Sequence, residues 1–170
     1  MDSSTIKNKK IEEFKNYIKN KKVAVLGMGI SNIPLISYLA QMGVDITAFD
    51  IAEEHQLEHV IAKFSNYKFI RYSLGKNYLD NLKGFDIIFK TPKVRFDIPE
   101  LQRERERGAV VTSEMELFVD LCPAEIIGIT GSDGKTTTTT IVYNILKEEG
   151  YKCWLGGNIG TPLIDKVEEI

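Results

Sequence analysis

The chain has 170 residues, 43% hydrophobic and 27% charged, which is the composition of an ordinary globular protein with one domain or slightly more. Its net charge of −2 excludes a sequence-wide electrostatic attraction to nucleic acid or to an anionic membrane surface. Cys122 and Cys153 form no disulfide framework or metal-ligand spacing, and no apolar run approaches the roughly 20 residues of a membrane span, so we expect a cytoplasmic protein that inserts into no membrane.

The N-terminal residues 5–20 place Ile6, Ile11, Phe14 and Ile18 among lysines, at the spacing of a short amphipathic helix. We interpret residues 1–20 as an N-terminal helical extension that lies over the edge of the fold that follows. A helix lying on a membrane surface is the alternative interpretation.

A first glycine turn follows a predicted strand over residues 22–27, whose continuous apolar sequence is typical of a strand buried in a parallel sheet. The turn has the sequence Gly-Met-Gly-Ile-Ser-Asn from Gly27 onward, and it opens a helix that Ser31 or Asn32 is expected to cap. The strand after that helix ends at Asp50. This β-α-β unit therefore carries an acidic residue where a ribose or a base would lie.

The glycine turn departs from the dinucleotide-binding fingerprint, because Asn32 stands where the third glycine belongs. A nicotinamide-dinucleotide site is therefore the alternative, and the diphosphate of another nucleotide fits better. The expected diphosphate contacts are the backbone N–H groups of Met28, Gly29, Ile30, Ser31 and Asn32. We expect Asp50 to accept a hydrogen bond from the base or the sugar, with a plain charged residue at a strand end as the alternative.

The segment His55-Gln56-Leu57-Glu58-His59 spells a reversed zinc-protease pattern. On a helix, Leu57 and Val60 fall on one side, while His55 and His59 lie nearly opposite. We interpret the histidines as part of a solvated helix face, since a catalytic zinc needs a cleft and a third ligand.

Further elements repeat at the spacing of β-α units. Predicted strands cover residues 67–70, 85–89 and 109–112, and predicted helices cover residues 99–108 and 114–121. Ser113 is expected to cap the second of these helices, with Glu116 at the distance of a capping box. The fourth strand is followed by Lys90-Thr91-Pro92-Lys93, at the edge where open α/β sheets bind ligands. The two lysines and Thr91 could face an anionic ligand there, and a purely structural turn is equally compatible. Residues 21–122 are therefore predicted to form an α/β, Rossmann-like domain with a five-stranded parallel sheet.

A second glycine turn follows a predicted buried strand over residues 126–130 and opens a helix with Lys135 and Thr136. Glycines let successive N–H groups face an anion, and the helix N-terminus adds partial positive charge. Ile129 replaces the first glycine of the strict phosphate-loop pattern, and a glycine-rich turn with a surface lysine is the alternative. A predicted strand at residues 152–155 leads to a third glycine loop. Residues 123–170 are thus predicted to begin a P-loop ATPase domain.

Five stretches together resemble the Mur ligases, over residues 21–170 almost continuously. They are Val-Leu-Gly-Met-Gly-Ile-Ser at residues 25–31, Asp50, Thr-Ser-Glu-Met-Glu-Leu-Phe at residues 112–118, Gly-Ile-Thr-Gly-Ser-Asp-Gly-Lys-Thr-Thr at residues 128–137, and Gly-Gly-Asn-Ile-Gly at residues 156–160. In that family a loop of this kind is the ordinary ATP loop, so Ile129 is no obstacle. The family has a UDP-binding Rossmann-like domain, a central ATPase domain and a C-terminal domain. The chain resembles the first domain and the beginning of the second.

The likeness is greatest to the members that add D-glutamate to UDP-N-acetylmuramoyl-L-alanine in peptidoglycan synthesis. It implies that ATP phosphorylates the L-alanine carboxylate, and that the amine of D-glutamate then displaces phosphate. It also implies a monomeric protein, and it implies that these 170 residues bind the UDP-sugar but do not catalyse the reaction.

Carried over by position, the resemblance assigns the two ligands to separate turns. The implied ATP contacts are Gly131, Ser132, Asp133, Gly134, Lys135, Thr136 and Thr137. Among them, Lys135 would act in catalysis on the outer phosphates and Thr136 would hold Mg²⁺. The implied contacts of the UDP-sugar are Met28, Gly29, Ile30, Ser31, Asn32, Asp50, Thr91 and Asn158.

The turn Thr91-Pro92-Lys93 departs from the family pattern, which is commonly Ser-Pro-Gly. Lysine lacks the conformational freedom of glycine, so this turn need not keep the family's contact with the substrate. Two alternatives to this function stay open. One is a related ATP-dependent amino-acid ligase with another acceptor, such as a folylpolyglutamate synthase. The other is a nucleotide-binding module of the NAD type.

Overall fold

The computed structural model describes residues 9–157 and 162–170. Five parallel strands form one sheet in the order β3-β2-β1-β4-β5, which confirms the predicted Rossmann-like architecture. The strands are β1 (Lys22–Leu26), β2 (Asp45–Asp50), β3 (Arg71–Leu74), β4 (Ile87–Lys90) and β5 (Val110–Thr112). The helices are α1 (Lys9–Ile18), α2 (Asn32–Gln41), α3 (Glu54–Ile61), α4 (Pro99–Glu106), α5 (Glu114–Leu121) and α6 (Lys135–Glu148), with 3-10 turns at Ala62–Phe64 and Ile164–Lys166.

The strand order places a topological switch point beside the central strand. The chain proceeds from β1 to β2 and β3 on one side, then returns to the other side for β4 and β5. At the carboxyl end of the sheet, Leu26 lies opposite both Phe49 and Lys90. Ligands of open α/β sheets bind in the crevice at this point, because the connections on its two sides diverge.

The two faces of the sheet carry separate cores, since successive side chains of a strand point in opposite directions. Val23 and Val25 pack in the larger core, under α1, α2, α3 and α5. Ala24 and Leu26 face the smaller core, which also contains Leu101 of α4. The pattern explains why β1 has an unbroken apolar sequence.

The helix that carries the reversed zinc-protease pattern is α3. Leu57 and Val60 are buried, while His55 and His59 are exposed. The predicted solvated face of this helix is therefore confirmed.

The two strands predicted near the second glycine turn, at residues 126–130 and 152–155, are wrong for this structure. Neither segment forms a helix or pairs as a strand, and Ile126 and Ile127 are 44% and 57% exposed. A strand forms only where a neighbour accepts and donates its backbone hydrogen bonds. Among the described residues, no strand lies beside either segment.

The described segment after residue 161 packs back onto the first domain. Its 3-10 turn Ile164–Lys166 contacts α2 and α5, and Ile164 and Val167 are buried there. Glu114, the first residue of α5, is also buried. Burial, and secondarily the negative charge of Asp165, raises the pKa of Glu114 to about 7.

This raised pKa predicts a pH-dependent contribution to stability. The folded state holds a proton on Glu114 more tightly than the unfolded chain, so the contribution is complete below about pH 4.5 and lost as pH rises toward 7. We expect Glu114→Gln to stabilise the chain at pH 8 relative to wild type by about 1–2 kcal/mol, because the amide carries no charge to bury. The difference should vanish at pH 4.5, as measured by urea unfolding. Asp120→Asn, an exposed substitution on the same helix, should show no such pH dependence; an equal dependence there would contradict the prediction.

Candidate functional site

The first glycine turn lies at the carboxyl end of β1, beside the switch point. Gly27 has φ +92°, in the left-handed region that favours glycine. Its N–H donates to the carbonyl oxygen of Phe49 at 2.7 Å. A Cβ on Gly27 would lie 2.7 Å from Cγ2 of Thr91, so both the backbone conformation and the close approach of β4 require glycine here.

Asp50 lies in the wall of this turn. Met28 N–H donates to Oδ2 of Asp50 at 2.6 Å, and Ala52 N–H donates to Oδ1 at 2.9 Å. The carboxylate thus connects the end of β2 to the turn after β1. The sequence had suggested a direct ligand contact, and the structure shows in addition a structural role that the sequence did not reveal.

Of the two residues predicted to cap α2, Ser31 stands at the cap position, but neither side chain forms the expected capping hydrogen bond. Ser31 occupies the cap position with helical dihedral angles, and its side chain makes no capping hydrogen bond. Asn32 is inside the helix and only 1% exposed. Its Nδ2 donates to the carbonyl oxygens of Leu26 and Gly27, each at 3.0 Å. The amide is drawn inward because the end of β1 presents two carbonyl acceptors.

The outer side of the turn is open. Gly29, Ile30 and Ser31 donate their backbone N–H groups to no acceptor among the described residues. Ile30 is 80% exposed, and no atom lies within 4 Å of where a Cβ on Gly29 would be. Three consecutive N–H groups at the start of α2 can therefore receive an anion.

The turn after β4 forms the second wall of the crevice. Thr91 N–H donates to the carbonyl oxygen of Leu26 at 3.2 Å, which holds Thr91 against Gly27. Lys90 extends over this turn, and its Nζ donates to the carbonyl oxygen of Val94 at 3.1 Å. The sequence suggested that Lys90 could face an anionic ligand at this edge of the sheet, and the structure shows its Nζ bonded to backbone carbonyl oxygens of the turn.

Glu116 adds a negative charge on the β5 side. Its Oε2 accepts hydrogen bonds from Oγ1 of Thr112 at 2.9 Å and Oγ of Ser113 at 3.1 Å. These bonds, chiefly the one from Thr112, lower the pKa of Glu116, and the positive charge of Lys90 contributes. Sequence reasoning identified Glu116 only as a helix-capping residue.

The second glycine turn leads into α6. Gly134, with φ +72°, is the residue before the helix. Lys135 folds over the turn, and its Nζ donates to the carbonyl oxygens of Gly131 and Ser132. The N–H groups of Lys135, Thr136 and Thr137 meet no acceptor among the described residues, because the first internal bond of the helix is from Thr138 N–H to Gly134 oxygen.

The remaining predicted contacts belong to the second glycine turn and to the third glycine loop. Ser132, Asp133, Thr136 and Thr137 are exposed around the second turn. Asn158 lies outside the described residues. Within the part of the chain that is described, no group of three or more histidine, cysteine, aspartate or glutamate side chains is placed to hold a metal ion.

Comparison with known proteins agrees with this geometry. The family profile described as "Mur ligase MurD-like, N-terminal domain" matches residues 21–113, more than half of the chain. The profile described as "Mur ligase middle domain" matches residues 129–168.

Individual relatives are similar along almost the whole chain. UDP-N-acetylmuramoylalanine--D-glutamate ligase of Acetivibrio thermocellus is 64% identical over 163 residues, which are 96% of this chain and 35% of the relative. The protein of the same name from Clostridium novyi is 59% identical over 95% of this chain and 35% of its own length. A solved pseudomurein peptide ligase type C from Methanothermus fervidus, 28% identical, covers 77% of this chain and 27% of its own, with a TM-score of 0.46, too low to carry an argument.

The chain thus spans about a third of the length of the curated relatives it matches. Its sheet order, its two glycine turns and the two matched profiles are all consistent with one another. The chain belongs to the Mur ligase family.

Proposed function

We propose that the chain is the N-terminal part of an ATP-dependent ligase that joins D-glutamate to UDP-N-acetylmuramoyl-L-alanine in peptidoglycan precursor synthesis. The observation that carries this proposal is the open row of N–H groups from Gly29 to Ser31 at the switch point of the sheet. Such a row suits the diphosphate of a nucleotide sugar. The names of the two bacterial relatives supply the identity of the substrates.

The proposed division of the chain follows the two turns. Residues 1–20 are an N-terminal helical extension, residues 21–122 bind the UDP-sugar, and residues 123–170 begin the ATP-binding domain. We further propose that Asp50 and Thr91 line the UDP site, and that Asn158 contacts the sugar or diphosphate. The proposed compartment is the cytoplasm, and none of the described helices is long and apolar enough to cross a membrane.

ATP and Mg²⁺ fit the second turn by the chemistry of the groups present. Free N–H groups at the start of α6, the left-handed Gly134 and the ammonium of Lys135 all suit phosphate oxygens, and the Thr136 hydroxyl is a suitable ligand for magnesium. ATP, when bound, supplies the phosphoryl group that activates the L-alanine carboxylate. The task of Lys135 is to offset negative charge as two anions are brought together.

Ligand-induced stabilisation of the 170-residue chain tests the proposal. UDP-N-acetylmuramoyl-L-alanine should raise the melting temperature most, because a ligand that binds only the folded state stabilises it. ATP should give a smaller rise. Preferential stabilisation by NAD would replace the ligase proposal with the dinucleotide alternative.

Asp50→Ala is expected to weaken binding of the UDP ligand by about 1–3 kcal/mol, because Met28 N–H loses its acceptor and the ligand loses a carboxylate partner. Titration calorimetry would measure the change. Asp45→Ala is the matched control, since Asp45 begins the same strand and pairs with Arg71 at its opposite end. Equal affinities of wild type and Asp50→Ala would remove Asp50 from the site.

A further inference from the structure

The position where the dinucleotide fingerprint has its third glycine is filled by a buried asparagine. In the fingerprint that glycine allows close packing of helix on strand. Asn32 instead lies between the start of α2 and the end of β1, where its side chain is almost wholly buried. The space that a glycine would leave is therefore occupied by an amide.

The amide makes directed contacts rather than merely filling that space. Nδ2 is 3.0 Å from the carbonyl oxygen of Leu26 and 3.0 Å from that of Gly27. The two acceptors are the last carbonyl of β1 and the first carbonyl of the glycine turn. An NH₂ group has two N–H bonds, so a single asparagine can donate to both acceptors at once. Because carbonyl oxygens only accept hydrogen bonds, the atom between them must be the amide nitrogen and not the amide oxygen.

Two side chains hydrogen-bond to the backbone of the turn: the buried amide of Asn32 and the carboxylate of Asp50 at the end of β2. The Asp50 carboxylate accepts Met28 N–H, and the N–H groups of Asn32 and Ile33 donate to the carbonyl oxygen of Gly29 at 3.1 and 3.0 Å. These bonds fix the residues on both sides of the three open N–H groups. The open groups are thereby held in one orientation before an anion arrives.

We infer that Asn32 is a positioning residue for the diphosphate of the nucleotide ligand. It acts through the backbone of Gly27 and does not donate to the ligand, because the structure commits Nδ2 to two protein carbonyls and the backbone N–H to the carbonyl oxygen of Gly29. This inference rests on the proposed nucleotide-sugar site and revises the expectation that Asn32 touches the ligand. Where the fingerprint has a glycine that allows close packing, this chain has an asparagine whose side chain hydrogen-bonds to the end of β1 and to the turn.

The test compares Asn32→Ala with Asn32→Leu in the 170-residue chain. Leucine has nearly the shape of asparagine without its donors, so it separates space filling from hydrogen bonding. We expect both variants to raise the Kd of UDP about tenfold, as for a lost pair of hydrogen bonds, with the Kd of ATP unchanged. Wild-type UDP affinity in Asn32→Leu would overturn the inference.

Amide hydrogen exchange supplies a readout that a merely structural role would not give. The hydrogen-bonded N–H groups of the turn, those of Met28, residue 32 and Ile33, should exchange faster in both variants, while those of β1 and β4 keep their wild-type rates. Uniform acceleration across the sheet would reduce Asn32 to an ordinary core residue. Gln41→Ala, an exposed amide substitution at the end of the same helix, should leave exchange and UDP affinity unchanged.

A measurement on the wild-type chain covers the case in which neither variant folds. The Asn32 side-chain amide protons should exchange slowly both with and without UDP, since both are bonded to protein carbonyls. Fast exchange in the absence of UDP would overturn the inference. If wild type binds no UDP, the proposed function fails, and the amide exchange of the turn still decides whether Asn32 holds it.

Discussion

If the proposed ligase activity holds, Lys135→Ala in the full-length protein is expected to abolish amide-bond formation, with kcat reduced by at least about a hundredfold. The Lys135 ammonium lies over the second glycine turn, within hydrogen-bonding distance of the carbonyl oxygens of Gly131 and Ser132. That position is beside the open N–H groups at the start of α6, where negative charge would be brought together. A steady-state assay of phosphate release with saturating substrates measures the effect.

The same variant should bind UDP-N-acetylmuramoyl-L-alanine as tightly as wild type, because the UDP turn belongs to β1 and α2. Lys147→Ala is the matched control: Lys147 is in the last turn of the same helix, exposed, with its ammonium 5.7 Å from the Tyr143 ring. It should keep wild-type turnover. Full activity in Lys135→Ala, or an equal loss in Lys147→Ala, would show that the lysine at the turn is incidental.

Gly27→Ala is expected to cost about 2–4 kcal/mol of folding free energy, the largest stability effect that we predict. Two penalties combine at this position. Alanine at φ +92° is strained, and its Cβ would lie 2.7 Å from Cγ2 of Thr91. Thr91 cannot easily move away, because its N–H is bonded to the carbonyl oxygen of Leu26. Urea unfolding monitored by circular dichroism measures the loss.

Gly29→Ala provides the comparison within the same turn. Gly29 does not have positive φ, and a Cβ added there would meet no atom within 4 Å. Its substitution should change the free energy of unfolding by less than about 0.5 kcal/mol. If the two alanine variants are equally stable, the close approach of β4 to the glycine turn is not a determinant of the fold.

The two predictions concern different ends of one proposed reaction. Gly27 fixes the backbone of the proposed sugar-nucleotide site, whereas Lys135 would supply charge at the proposed triphosphate site. A loss of stability in Gly27→Ala and a loss of turnover in Lys135→Ala would distinguish a residue that maintains the fold from a residue that acts in the reaction. Each variant also leaves the other turn intact, so each serves as a specificity control for the other.

Local sequence patterns were sufficient to predict helices, because their backbone hydrogen bonds form within the element and their ends are marked by residues close in sequence. The helix starting at Pro99 and the Ser113 cap depend on residues close in sequence. The five-stranded parallel sheet was predicted from the alternation of apolar strands and helices, because parallel strands must be joined by crossovers. The third strand was predicted at residues 67–70, which was wrong, since β3 is Arg71–Leu74. Both glycine turns were predicted at strand-to-helix junctions; the first follows β1, and the second precedes α6 without a paired strand before it among the described residues.

The strand predicted at residues 126–130 failed because its pattern describes burial that a neighbour must provide. Its isoleucines suit the interior of a sheet, yet the described residues offer no strand for them to pair with. Periodicity indicates which side chains are apolar. It does not indicate whether a partner lies beside them.

The sequence by itself determined the succession of strands and helices in the first domain, the two turns and the family to which the chain belongs. Tertiary structure alone decided what the polar residues of the first turn do. Asn32 looked like a helix cap and Asp50 like a ligand contact, but both donate to or accept from backbone atoms of the turn. Those partners come from the packing of α2 and β2 against the end of β1. The chain pattern cannot specify such contacts, because hydrogen-bond partners are fixed only when separate elements meet in space.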